Sequence, residues 1–130
     1  MNQRILIIED HADFRNTLIF YLRHIGYEMI EAQDGSEGIS KATSENPDLI
    51  ILDLSLPDIT GVEVTALLTQ APKTSNIPII VLSGWSMCKW KDKALQVGAS
   101  AYLVKPPSPD LLRETIHRLV TGGTKWRLRT

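Results

Sequence analysis

At 130 residues, 43% hydrophobic and 22% charged, the chain has the size and balance of one globular domain with room for a core. Its apolar runs are far shorter than the roughly 20 residues that span a bilayer, the N-terminus "MNQRILIIEDH" lacks the shape of a signal peptide, and Cys88 is the only cysteine, so a reducing, cytoplasmic setting is expected. The net charge of −1 hides a split: residues 1–85 carry 5 Lys/Arg against 12 Asp/Glu and residues 86–130 carry 9 against 3, which marks either a partner-binding half or solvated helix faces.

"RILII" (4–8) predicts a first strand. After it Phe14, Leu18, Tyr21, Leu22 and Ile25 fall on one face of a helix closed by Gly26. "EMIEA" (28–32) is a more polar strand, suited to a place near a sheet edge, and "GSEGISKATSE" (35–45) a helix whose start is weakened by two glycines. "LIILD" (49–53) is the third strand, and "GVEVTALLTQA" (61–71) a helix stopped before Pro72. "IPIIVLS" (77–83) is the fourth strand, with Pro78 tolerable only near its beginning. "MCKWKDKALQV" (87–97) is a helix with a lysine-rich outer side, capped by Gly98; its Cys88 is most simply a small apolar residue. "AYLV" (101–104) is the fifth strand. "SPDLLRETIHRLV" (108–120) opens with Ser108 as N-cap, Pro109 at the first helical position and Asp110 in the first turn, and buries Leu112, Ile116, Leu119 and Val120.

Five strands alternating with five helices predict an α/β fold of the (βα)5 kind. Strands that are apolar on both faces suggest a parallel sheet covered on each side by helices. Ligands of such open sheets bind beyond the carboxyl ends of the strands. Those ends collect Glu9 and Asp10 after the first strand, Asp53 at the third, Ser83 at the fourth and Lys105-Pro106 after the fifth. Three acids in one cleft repel one another and raise their pKa values unless a cation offsets the charge. A hard ion such as Mg²⁺ takes carboxylates and water as ligands, and Lys105 adds a second positive group. Acids, a hard metal, a lysine and a hydroxyl suit a phosphoryl group, with Asp53 as nucleophile.

Each residue also has a plainer reading. Asp53 could be a turn former, Glu9-Asp10 a helix cap (although Asp13 is available for that), Ser83 an ordinary polar residue and Lys105 a solvated one. The three histidines, His11, His24 and His117, are too scattered to suggest a metal cluster.

The stretches "IIEDH", "ILDLSLPDITGVEV", "VLSG" and "AYLVKP" resemble the signatures of bacterial response-regulator receiver domains, CheY-like proteins of two-component signalling. The resemblance covers residues 4 to about 121, with 43 residues from Asp10 to Asp53, 30 from there to Ser83 and 22 more to Lys105. It implies a flavodoxin-like strand order 2-1-3-4-5, a receiver domain over residues 1–121 and a tail or linker start over 122–130. It also implies a Mg²⁺ (or Mn²⁺) site formed by Glu9, Asp10, Asp53 and the backbone carbonyl of Ser55. Asp53 would accept a phosphoryl group from a sensor histidine kinase or a histidine phosphotransfer protein. Ser83 would bond the phosphoryl oxygen, Lys105 would pair with it, and Tyr102 would swing inward with the hydroxyl. Pro106 matches the residue after a cis peptide bond, and Gly61 suits the tight turn into the third helix. Ser83 stands where Thr is commoner and Glu9 where Asp is; the bulky Trp85, where the family varies, would screen the phosphoryl bond from water.

The implied output is a phosphorylation-dependent homodimer or output partner on the surface of the fourth helix, fifth strand and fifth helix. Lys89, Lys91, Lys93, Arg113 and Arg118 on that surface favour an acidic partner or a salt-bridged dimer. Such a chain is a signalling phosphoacceptor, catalysing only its own phosphotransfer and dephosphorylation. The alternative is a degenerate receiver used as a docking module. An aspartate phosphatase would want a second acid where Ser55 stands, and a flavin protein a phosphate-cradling loop where "EDHADF" is acidic. The tail "TKWRLRT" is too short to argue direct nucleic-acid binding.

Overall fold

The computed structural model describes residues 3–84 and 88–123. The strands are β1 Arg4–Ile8, β2 Glu28–Ala32, β3 Leu49–Asp53, β4 Ile79–Ser83 and β5 Ala101–Val104. They alternate with α1 Ala12–His24, α2 Gly35–Glu45, α3 Gly61–Gln70, α4 Cys88–Gln96 and α5 Pro109–Arg118. All pairings are parallel, in the order β2-β1-β3-β4-β5. The expected doubly wound fold is therefore present, with the polar strand β2 at an edge.

Alternation along each strand divides the core in two. Leu6, Ile8, Ile50, Leu52, Ile79 and Val81 meet Ala42, Val64, Leu68 and Ala94 of α2, α3 and α4. Ile5, Ile7, Leu49, Ile51, Ile80 and Leu82 meet Leu18, Leu22, Leu112 and Ile116 of α1 and α5. Each fully buried side chain of this kind contributes about 1.5–3 kcal/mol, so covering both faces drives the sheet's closure between helices. Among the described residues no helix is long and apolar enough to cross a membrane.

Local chemistry fixes the ends. Gly26 at φ +110° and Gly98 at φ +112° turn the chain out of α1 and α4 in a left-handed conformation. Ser108 receives the Leu111 N–H and Thr60 the Glu63 N–H. The glycines that weakened α2 as a sequence have a packing role. A Cβ on Gly35 would stand 2.5 Å from Ile59 Cγ1, and one on Gly38 would overlap the side chain of Ile8. Their helix cost is offset by close approach to the sheet, and by Asp34 and Asp58, whose carboxylates accept the first N–H groups of α2.

Four expectations shift. Asp13 does not cap α1; it lies inside the first turn, and His11 holds the cap position without a side-chain cap bond. β4 begins at Ile79 rather than Ile77, because Pro78 has no N–H for the ladder and contributes only its carbonyl, to Ile50. α3 stops at Gln70. The helical path after α5 continues as a π-helical turn through Gly123 instead of ending at 120. For α4, expected from Met87, that residue lies outside the described residues.

Candidate functional site

β1 and β3 are neighbours in register, Ile8 beside Leu52, so Glu9 one residue beyond β1 comes level with Asp53. On the other side β4 and β5 end together, Ser83 beside Val104, and Lys105 donates its backbone N–H to the Ser83 carbonyl at 2.7 Å. Residues 96 apart in the chain thereby meet: Lys105 Nζ lies 2.7 Å from Glu9 Oε1 and 3.0 Å from Asp53 Oδ1. Beneath it the Phe14 ring centroid is 4.6 Å away, a cation–π contact that adds to the ammonium's placement.

Both carboxylates are buried, Glu9 2% and Asp53 4% exposed, yet their electrostatics differ. Burial, then the nearby Glu9 charge, pushes the Asp53 acid above its usual value; Lys105 and the Ser55 backbone offset this only in part. For Glu9, burial acts in the same direction but loses to hydrogen bonds from Lys105 and the His11 N–H, which hold it below the usual range. A rise is expected unless a cation offsets the charge, and Lys105 is that cation: its effect prevails at Glu9 and is only partial at Asp53. The difference is a matter of donors: Glu9 Oε2 receives the His11 N–H at 3.1 Å, whereas Asp53 Oδ2 is buried with no hydrogen-bond partner among the described residues. Lys105, solvated on the plainer reading, is instead held protonated: burial disfavours its charge, but its bonds to Glu9 and Asp53 outweigh that and raise its pKa.

Asp10 is exposed beside this pair. One ligand atom from each of Glu9, Asp10, His11 and Asp53 lies within 4.8 Å of the others. The donor set suits a divalent ion, which would also offset the charge on the buried Asp53 oxygen that has no hydrogen-bond partner among the described residues. Of the three histidines His11 joins these acids: it follows Glu9 and Asp10 directly, and β1 pairing with β3 brings all three to Asp53.

The remaining candidates fall around the same strand ends. Ser83 is buried, and Tyr102 is half-buried in β5 against the core face shared with α4. Ser55 is exposed two residues beyond Asp53. Gly61 donates its N–H to the Leu54 carbonyl, and a Cβ there would lie 2.6 Å from the Asp53 carbonyl oxygen, so only glycine allows this approach. The Lys105–Pro106 peptide is cis, as expected. Trp85 lies outside the described residues.

Four contributors escape a reading of strand ends. They are His11; Phe14 under Lys105; Arg15, whose buried guanidinium bonds the Glu9 carbonyl at 2.8 Å and Glu31 at 3.1 Å; and Asp58, which ties the loop after β3 to α2. Only Arg15 had a sequence signal, a charge on the apolar face of α1.

Residues 5–117 match the family model for the response regulator receiver domain. The probable transcriptional regulator ycf27 of Porphyridium aerugineum is 38% identical over 118 residues, 91% of this chain and 48% of that protein. The chain spans about half the length of the first curated relatives it matches. The chemotaxis response regulator CheY4 of Vibrio cholerae superposes with a TM-score of 0.85 at 30% identity, covering 92% of this chain and 99% of that one. The response regulator protein TrrA of Thermotoga maritima, solved in complex with Mg²⁺-BeF, gives 0.81 at 34% identity over 90% and 98% of the two chains. Sequence, strand order and strand-end chemistry thus agree, and the chain belongs to the receiver domains of two-component response regulators.

Proposed function

We propose that Asp53 is the phosphoacceptor of a Mg²⁺-dependent switch. The observation that carries this is its buried Oδ2 without a hydrogen-bond partner among the described residues, beside a lysine that bridges Asp53 to a second buried acid. An Asp53 oxygen attacks phosphorus of a phosphohistidine on a sensor histidine kinase or phosphotransfer protein. The O–P bond forms, the N–P bond breaks, and the imidazole leaves and takes up a proton. Glu9, Asp10, Asp53 and the Ser55 carbonyl would hold Mg²⁺ or Mn²⁺, which supplies positive charge against the phosphoryl oxygens. The Mg²⁺-BeF complex of TrrA supports that assignment by analogy.

Phosphorylation adds about −1.5 to −2 charge at the cleft. Lys105 exchanges its Asp53 contact for a phosphoryl oxygen, the Ser83 hydroxyl turns to donate to another, and Tyr102 follows inward. Trp85 limits water's access to the acyl phosphate. The rearrangement alters the α4–β5–α5 surface, where Lys89, Lys91, Lys93, Arg113 and Arg118 are exposed and Trp90 lies near Lys89 and Lys93. A homodimer or an acidic output partner reads that surface. Residues 1–121 form this receiver, a cytoplasmic phosphoacceptor that acts on no substrate but its own phosphoryl group.

The test is intact mass after incubation with Mg²⁺ and acetyl phosphate, for this chain and Asp53→Asn. One phosphoryl group on the parent, absent from the variant and abolished by chelation, is the expected outcome. No incorporation, together with no fluorescence response to beryllofluoride and Mg²⁺, would overturn it in favour of a docking module.

A further inference from the structure

The strand-end cluster contains a nitrogen donor. His11 Nδ1 lies 3.1 Å from Glu9 Oε2, within hydrogen-bond reach, and 3.4 Å from Asp10 Oδ1, and the side chain is 69% exposed. Around a divalent ion with bonds of about 2.1 Å, neighbouring octahedral ligands stand about 3 Å apart and opposite ones about 4.2 Å. The His11 separations are those of neighbouring positions, and the whole set, within 4.8 Å, is close to that span. Independently, the 4%-exposed Asp53 presents an oxygen with no hydrogen-bond donor among the described residues.

Resting on the metal-site reading above, we propose that His11 is itself a ligand of that site, giving a mixed nitrogen–oxygen set that favours first-row transition ions over Mg²⁺. Mg²⁺ prefers oxygen donors, whereas imidazole suits the later first-row ions, whose affinities rise from Mn²⁺ towards Cu²⁺. Glu9, Asp10 and Asp53 serve either class of ion. His11 serves only the second, so its effect is on selectivity.

Titration calorimetry with Mg²⁺ and with Co²⁺, at one pH, tests this on the parent chain, His11→Gln and Asp53→Asn. Gln keeps hydrogen-bonding capacity towards Glu9 but is a poor ligand. His11→Gln should lose about tenfold or more in Co²⁺ affinity, the scale on which even outer ligand-shell changes act, while Mg²⁺ affinity holds. Pulsed EPR of the Mn²⁺-loaded parent should show ring-nitrogen coupling that the variant lacks. Equal weakening of both ions would make His11 a positioning residue and overturn the proposal. So would unchanged Co²⁺ affinity, persistent nitrogen coupling, or Co²⁺ binding insensitive to Asp53→Asn. A parent that binds no Mg²⁺, or binds it no better than Asp53→Asn does, would instead fell the site reading and the proposal with it.

Discussion

Lys105→Met removes the cation that bridges Glu9 and Asp53. At separations of 2.7 and 3.0 Å, the two attractions amount to about 6 and 5.5 kcal/mol gross at an effective dielectric of about 20. Desolvation of three charges offsets most of that, so the pair's net worth is far smaller than its gross value. Breaking it is another matter, because two carboxylates only 2% and 4% exposed are left without compensation. Such losses run to about 3–5 kcal/mol; Met keeps the stem's packing, and water entering beside the 18%-exposed lysine position relieves part, so about 2–4 kcal/mol is expected at pH 7.

The sign of the pH dependence follows from Glu9. Its folded pKa is depressed, so in the parent it contributes stability above the unfolded value near 4.5 that is lost as pH falls through the folded value. Without Lys105 that contribution disappears and the acids bind protons more readily when folded. The variant's deficit is therefore largest at neutral pH and closes through the carboxylate range. Urea unfolding followed by circular dichroism reads it, as a midpoint lowered by roughly 1–2 M at pH 7. A deficit of the same size at pH 4 as at pH 7, or none at pH 7, would refute the shared-cation account.

Asp53→Asn should stabilise the fold at pH 7 by about 1 kcal/mol, a Tm rise of roughly 3–6 °C, because it removes a buried charge beside Glu9. An acid with a raised folded pKa loses stability as pH climbs through the range above 3.8, so the variant's advantage should grow between pH 4 and pH 7; a lower Tm than the parent's would contradict this. Arg15→Met should cost about 1–3 kcal/mol by leaving the Glu9 carbonyl and Glu31 without their charged donor, measured by the same urea titration. Gly38→Ala should destabilise by about 1–3 kcal/mol although alanine is the better helix former, and Ile8→Val in the same chain should recover part of the loss; an Ala variant more stable than the parent would show that α2 has room to retreat.

By itself the sequence determined what depends on neighbours in the chain. Short continuous apolar runs and helical apolar spacing located all ten elements within about two residues, apart from the extended turn after α5, since buried faces and caps are local properties. Ser108-Pro109, Gly26 and Gly98 announced their helix ends because capping involves only the next few backbone groups. The rule that polar residues gather beyond parallel strands was enough to single out Glu9, Asp53 and Lys105 without knowing any distance. Tertiary structure decided what happens between them. Nothing local says that Lys105 would bridge two acids, or that Glu9 would receive the His11 N–H while Asp53 Oδ2 has no hydrogen-bond partner among the described residues; burial and the Glu9 charge push the Asp53 pKa up, and the bonds from Lys105 and His11 hold that of Glu9 down. Gly38 looked like a weak helix start until Ile8 was found filling the space a side chain would need. His11 looked scattered because its nearness to Asp53 comes from β1 pairing with β3. Secondary structure follows short-range sterics and burial pattern; the charges of a cleft follow which strands become neighbours.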